Sequence, residues 1–144
     1  MSFIESFVQI DGCRTRLLRG GQGTPLLYLH GANGVAGIQP FMLKLAERFD
    51  VWIPEHPGFG QSDEPEWLEN IHDLAYFYLD FMREHQLTGA HVLGSSLGGW
   101  LAKGSFVVLF FALLQMLVPG VSAISRFRRV RKTFRSWWTS RSWM

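Results

Sequence analysis

Gly94-Ser95-Ser96-Leu97-Gly98 is the stretch that decides the fold, because it matches G-x-S-x-G between an apolar segment, His91-Val92-Leu93, and a segment typical of a helix start. A sharp strand-to-helix turn needs glycine two positions before and after the serine, since side chains there would collide. Such a turn lifts the Ser96 hydroxyl above the sheet edge. Taken alone, the pattern also arises by chance in glycine-rich loops.

Two more turn motifs follow apolar strands upstream of this one. His30-Gly31 ends the run from Leu26 to His30, which is apolar at nearly every position and therefore predicts a strand covered on both faces of a parallel sheet. Pro57-Gly58-Phe59-Gly60-Gln61-Ser62 follows the short strand Val51-Trp52-Ile53. The spacing from one motif to the next leaves room for one helix each.

The remaining segments complete a regular order of elements. Asp11-Gly12 predicts the tight turn of a hairpin with strands at 7–10 and 14–18. Helical spacing predicts a helix over Phe41–Phe49, with Pro40 in its first turn. A second helix carries an apolar stripe, with Asp73 off that stripe. A hairpin followed by alternating strands and helices predicts the α/β class, with parallel strands joined by crossover helices. The stripe consists of Ile71, Leu74, Ala75, Tyr78, Phe81 and Met82.

From about residue 7 to residue 102, these three ordered motifs resemble the N-terminal half of α/β-hydrolase fold enzymes. The resemblance implies that Ser96 is the nucleophile, as in the esterase, lipase and carbon–carbon hydrolase branches, and that the substrate is a small-molecule ester or related carbonyl compound. It places the oxyanion hole at the backbone N–H of Leu97 and that of Ala32 or Asn33. Ser95 should face away from the pocket, and no cofactor or metal is implied. The motif residues are His30, Gly31, Gly94 and Gly98.

The acid and base of the catalytic triad are missing from this pattern. In the family an Asp or Glu and then a His follow the serine, but residues 97–144 contain none of these. His30 is expected to shape its loop, and the other four histidines to lie at the surface or in packing. We therefore expect a catalytically incomplete hydrolase as encoded. The alternative is a serine hydrolase completed in trans by a partner subunit that carries Asp and His.

Composition divides the chain in two. Its 144 residues are 47% hydrophobic and 18% charged, a composition that excludes a disordered chain. Cys13 is the single cysteine, which excludes a disulfide scaffold and fits a cytoplasmic location. Residues 1–102 hold all twelve acids but only six of the fourteen Lys and Arg. We predict a partial α/β-hydrolase domain over 1–102 and an apolar, then basic, tail over 103–144.

The N-terminus lacks the pattern of a secretory signal, so no cleaved peptide is expected.

Two hypotheses account for the tail. Residues 104–125 carry no charge, although Pro119-Gly120 interrupts them, and aromatic residues alternate with Arg and Lys beyond Ser125. The first hypothesis is a reading-frame shift near Lys103 that replaced the second half of the hydrolase. The second is a membrane-associated protein, or one that binds polyanions, using 104–138, with no nucleic acid favoured. If the tail supplies no strand, His91 to Gly94 becomes an exposed apolar edge and an aggregation hazard.

Overall fold

A mixed five-stranded sheet forms the centre of residues 2–103, the residues that the computed structural model describes. Its strands are β1 (Ile4–Ile10), β2 (Cys13–Gly20), β3 (Thr24–Leu29), β4 (Phe49–Pro54) and β5 (His91–Gly94). β1, β2 and β4 pair antiparallel, and β4, β3 and β5 pair parallel, in the order β1-β2-β4-β3-β5. The predicted hairpin, the parallel strands and the α/β class are therefore confirmed.

The two central strands, β3 and β4, are buried on both faces, as the apolar run at 26–30 predicts. Alternate side chains point to opposite faces of a strand, so each strand contributes to two hydrophobic clusters. One cluster includes Leu27, Leu29 and Trp52 and packs against the second helix. The other includes Leu26, Tyr28, Val51 and Ile53 and packs against the first helix.

Three helices flank the sheet: α1 (Pro40–Ala46), α2 (Ile71–Glu84) and α3, which runs over 97–103 to the end of the described residues. The prediction that the first helix reaches Phe49 is wrong, because the chain turns after Ala46 and Phe49 begins β4. Asp50 then accepts two hydrogen bonds from Arg19 of β2, at 2.9 and 2.8 Å. This ion pair between adjacent strands favours an early strand start over another helical turn.

The apolar stripe of α2 is confirmed as core. Asn70 caps the helix by accepting hydrogen bonds from the backbone N–H groups of His72 and Asp73. The expectation that Asp73 lies off the buried face is wrong, since Asp73 is 7% exposed. Its carboxylate accepts the Glu69 N–H, at 3.1 Å, and so closes the turn that leads into the helix.

β5 lies at one end of the strand order, and within residues 2–103 no strand pairs with its outer edge. Leu93 is 41% exposed there. None of the helices in this part of the chain has the length and apolarity that a bilayer-spanning segment needs. The predicted apolar and basic tail, apart from Lys103, lies outside the described residues.

Candidate active site

The turn between β5 and α3 places Ser96 in a strained backbone conformation. Ser96 has φ of 52°, in the left-handed region that residues with a Cβ atom seldom adopt. Its carbonyl oxygen accepts the N–H groups of Gly99 and Trp100, at 2.9 and 3.1 Å, so the helix begins immediately after it. A serine held at a sharp strand-to-helix corner has the geometry of a nucleophile elbow.

The glycines on either side of Ser96 allow the backbones to approach each other closely. A Cβ atom added to Gly98 would overlap the carbonyl oxygen of Leu29, and one added to Gly94 would overlap the carbonyl oxygen of Gly98. Both contacts would be shorter than the 3.0 Å limit that real Cβ atoms respect. The glycine requirement inferred from the sequence motif therefore has a direct steric cause.

Ser96 lines a cavity of ≈ 480 Å³ together with the loop that follows β3. Ala32 and Asn33, the two residues predicted to offer an oxyanion donor, both line it, as do Gly31 and Gly94. Ser95 also lines it, and the expectation that its side chain faces away stays a prediction. The other residues of the lining are Tyr28, Gly34, Gln39, Phe41 and Leu93.

The loop and the elbow lie in direct proximity. A Cβ atom placed on Gly31 would stand 3.3 Å from the Cβ of Ser96 and 3.2 Å from the carbonyl oxygen of Ser95. Leu97 does not line the cavity but is the first residue of α3, where N–H groups have no acceptor within the helix. The structure thus brings the predicted nucleophile, Ser96, next to both segments predicted to carry the oxyanion donors.

His30 lies beneath this loop, buried in contact with two residues that the sequence did not single out for the site. The backbone N–H of His56 donates to Nε2 of His30, at 2.8 Å, so Nδ1 of His30 carries the proton and donates to the carbonyl oxygen of Gly31, at 2.7 Å. Nε2–H of His56 donates to the carbonyl oxygen of His30, at 2.8 Å, and its Nδ1 accepts from the hydroxyl of Tyr78. Every ring nitrogen therefore has one partner, which fixes both neutral tautomers.

Burial keeps both imidazoles uncharged. Burial lowers the pKa of His30, and burial together with the neighbouring His30 ring lowers the pKa of His56 to about 3. The rings stack with their centroids 3.7 Å apart, which agrees with two neutral imidazoles. Burial also raises the pKa of the Tyr78 hydroxyl, so it remains a donor. His30 and His56 therefore pack the core and shape the loop, and all their ring nitrogens are engaged in hydrogen bonds.

The hydrogen bond from His30 also orients the backbone N–H of Ala32, one of the two candidate oxyanion donors in this loop. In a trans peptide the carbonyl and the following N–H point in opposite directions. Since the Gly31 carbonyl points to His30, the N–H of Ala32 points away from the buried imidazole. The expectation that His30 shapes the loop thus corresponds to one contact, the hydrogen bond from Nδ1 of His30 to the carbonyl oxygen of Gly31.

Within residues 2–103, the cavity lining contains no Asp, Glu or His. Among the residues that the structure describes, no carboxylate or imidazole therefore lines the cavity beside Ser96. The remaining histidines lie elsewhere: His72 and His91 are exposed, and His85 packs against the rings of Trp52 and Phe81. No group of three His, Cys, Asp or Glu side chains in this part of the chain is arranged to hold a metal ion.

We predict that Ser96→Gly is more stable than Ser96→Ala by about 1 kcal/mol, because glycine adopts a positive φ without the clash of a Cβ atom. Chemical denaturation of the two variants measures this difference. Ser95 provides the control, since it is not among the residues with positive φ. Ser95→Gly should be no more stable than Ser95→Ala, and equal stability of the two Ser96 variants would contradict the assigned strain.

Comparison with known proteins agrees with this geometry. The family model described as alpha/beta hydrolase fold matches residues 24–102. The chain is 36% identical over 98 residues to the dihydrolipoyllysine-residue acetyltransferase component of an acetoin cleaving system from Cupriavidus necator, covering 67% of this chain and 26% of that protein. It is 30% identical over 113 residues to 2-hydroxy-6-oxo-6-(2'-aminophenyl)hexa-2,4-dienoic acid hydrolase from Metapseudomonas resinovorans, covering 74% and 39%.

A solved structure of E-2-(acetamidomethylene)succinate hydrolase superimposes with a TM-score of 0.63 at 27% identity, covering 74% of this chain and 38% of that one. The chain thus spans between about a quarter and two fifths of the length of these relatives. The matched part includes the loop after β3, the turn after β4 and the serine elbow. The chain belongs to the alpha/beta hydrolase fold family.

Proposed function

We propose that this chain supplies the nucleophile and the oxyanion hole of a serine hydrolase acting on an ester or a related carbonyl compound. The observation that carries the proposal is Ser96, held at φ of 52° on the cavity that Ala32 and Asn33 also line. The hydrolase names of two relatives support the same reaction class. Serine at the elbow favours acyl transfer through an ester intermediate.

In this reaction the Ser96 oxygen forms a bond to the substrate carbonyl carbon, and the carbonyl electron pair moves onto oxygen. The backbone N–H groups of Leu97 and of Ala32 or Asn33 stabilise that oxyanion, and α3 directs its positive end toward it. Collapse of the intermediate breaks the bond to the leaving group, which takes up a proton, and leaves an acyl-Ser96 ester. Water then hydrolyses the ester and regenerates Ser96.

The proton on Ser96 needs a base that this sequence does not place after the elbow. Residues 97–144 contain no Asp, Glu or His, and His30 and His56 are occupied by their own hydrogen bonds. We propose that residues 1–144 are catalytically incomplete, and that the reaction needs an imidazole and a carboxylate supplied from outside these residues, as by a partner subunit in trans. We propose that the other half of the site is preformed, since Ser96, Ala32 and Asn33 already line one cavity.

Labelling with a fluorophosphonate tests this proposal on the full chain. Without a base we expect slow labelling, and imidazole added to the buffer should raise the rate at Ser96 about tenfold or more. This gain is a small part of the roughly 10²–10⁴-fold that a positioned base supplies. Peptide mass spectrometry should locate the adduct on Ser96.

Two adjacent serines provide the matched control for the labelling. Ser95→Ala should retain imidazole-assisted labelling, whereas Ser96→Ala should lose it. Equal labelling of Ser96→Ala and the unsubstituted chain, or an adduct on Ser95 alone, would overturn the assignment of the nucleophile. Labelling that stays slow when imidazole is added would show that the half-site is not preformed, and fast labelling without imidazole would contradict the proposal that the base is missing.

A further inference from the structure

Arg16 of β2 connects the loop that carries the oxyanion donors to the turn after β4. Its Nη1 donates to the carbonyl oxygen of Val35, at 3.1 Å, and to Oε1 of Glu55, at 3.4 Å, while Nη2 donates to Oε2 of Glu5, at 2.7 Å. The Arg16 and Glu55 side chains are only 12% and 5% exposed. The guanidinium is therefore held in a largely buried set of partners.

Glu55 fixes the turn on the other side of this guanidinium. Its second carboxylate oxygen accepts the backbone N–H of Gln61, at 2.8 Å, and its main-chain oxygen accepts the hydroxyl of Ser62, also at 2.8 Å. The same Ser62 oxygen accepts the backbone N–H of Arg16, at 3.0 Å. Both the main chain and the side chain of Arg16 are thus hydrogen-bonded to the segment around the turn after β4, through Ser62 and Glu55.

We call residues 31–35 the oxyanion loop; it has no regular secondary structure. Two hydrogen bonds hold its beginning, from His30 and from the N–H of Gly34, and both end on the carbonyl oxygen of Gly31. The bond from Arg16 to Val35 holds its other end. Ala32 and Asn33 lie between these two attachments, so the positions of their N–H groups depend on both.

We infer that Arg16 is a positioning residue. Its hydrogen bond to the carbonyl oxygen of Val35 holds the oxyanion loop where its backbone N–H groups can reach the oxyanion formed at Ser96. The inference rests on the proposed function. A planar guanidinium can donate to Val35, Glu55 and Glu5 at once, and the single ammonium of lysine cannot reproduce that fork. Charge alone therefore does not replace Arg16.

The experiment compares Arg16→Lys with Arg19→Lys in the full chain. Arg19 lies on the same strand and pairs with a carboxylate, Asp50, but does not donate to the oxyanion loop. Hydrogen exchange by mass spectrometry should be at least about tenfold faster in peptides covering 31–38 for Arg16→Lys and unchanged there for Arg19→Lys. Imidazole-assisted labelling of Ser96 should fall about tenfold only in Arg16→Lys.

Two further variants separate positioning from general stability. Glu5→Gln removes the charge of the more exposed partner but keeps an acceptor oxygen, and it should leave both readouts within about twofold of the unsubstituted chain. If Arg16→Lys does not fold, Glu55→Gln, which leaves the Val35 bond but removes the charge of the guanidinium's buried partner, should show the same two changes to a smaller degree.

Equal exchange at 31–38 in Arg16→Lys and Arg19→Lys would overturn the inference, and so would faster exchange with labelling unchanged. Exchange that rises equally in all peptides of Arg16→Lys would assign Arg16 to overall stability and also overturn it. Absence of labelling in the unsubstituted chain would overturn the proposed function, and with it the part of the inference that links Arg16 to the reaction. Exchange alone would then report whether Arg16 holds the loop.

Discussion

Replacing Gly98 by alanine is expected to lower the free energy of unfolding by about 3 kcal/mol or more and to abolish labelling of Ser96. The added Cβ atom would overlap the carbonyl oxygen of Leu29, which is backbone and cannot rotate away as a side chain could. The same Leu29 oxygen accepts the N–H of Ser95, at 3.0 Å. Relief of the overlap would therefore displace α3, the elbow and β3 from one another.

Gly37→Ala is the matched control, because a Cβ atom at Gly37 would meet nothing within 4 Å and its φ is not positive. Urea denaturation should place Gly37→Ala within about 0.5 kcal/mol of the unsubstituted chain. If Gly98→Ala unfolded at the same urea concentration as Gly37→Ala, the close approach of α3 to β3 would be contradicted.

The second large effect is a loss of stability in mild acid, caused by the two buried histidines. The folded-state pKa of His56 is about 3, whereas an unfolded histidine titrates near pH 6.5. Below about pH 6.5 the unfolded chain binds a proton that the folded chain excludes, so stability is fully present above that pH and falls as the pH falls. The slope is about 1.4 kcal/mol per pH unit for one group, or about 3 kcal/mol between pH 6.5 and 4.5. The lowered pKa of His30 acts in the same direction.

Carboxylates contribute at lower pH and can be separated from this effect. Burial opposes ionisation of Asp50, but the hydrogen bonds from Arg19 and Trp52 outweigh it and lower the pKa of this carboxyl below its usual value. Its stabilising contribution is therefore lost only as the pH falls below about 4. Measurements between pH 7 and pH 4.5 report mainly on the histidines.

Urea midpoints at half-unit pH steps measure the slope. His72→Gln removes an exposed histidine and should keep the slope. His56→Gln should lower the slope by the share of one group, about 1.4 kcal/mol per pH unit, since glutamine does not titrate, and His30 should account for what remains. A midpoint that stays constant from pH 7 to pH 5 in the unsubstituted chain would show that His30 and His56 are not buried neutral groups.

The elbow was predictable from sequence because its constraints are local. Gly94, Ser96 and Gly98 lie within five residues, and each has a steric or chemical reason to be that residue type. The strands β3 and β4 were predictable for a related reason, since burial on both faces requires apolar residues at nearly every position. The end of α1 was not, because helical spacing continues to Phe49 while the pairing of Asp50 with Arg19 depends on a strand thirty-one residues away in sequence.

The supporting contacts of the site could not be predicted, for the same physical reason. His56 contacts His30 across 26 residues and Tyr78 across 22, and Arg16 contacts Val35 across 19. Nothing in the local pattern distinguishes these residues from an ordinary buried histidine, a core tyrosine or a strand arginine. Glu55 lies two residues before the Pro57–Ser62 turn, and its position in sequence is one from which a role in shaping that turn could have been inferred.

The left-handed backbone at residue 96 has a consequence for laboratory evolution. A library screened only for heat resistance should enrich glycine at this codon, because that exchange relieves the main chain and removes no buried contact needed for folding. The winners would melt later and carry no hydroxyl at the corner. Thermal screening of this scaffold therefore needs a parallel selection that retains the serine hydroxyl, or the proposed nucleophile is lost while the fold becomes more stable.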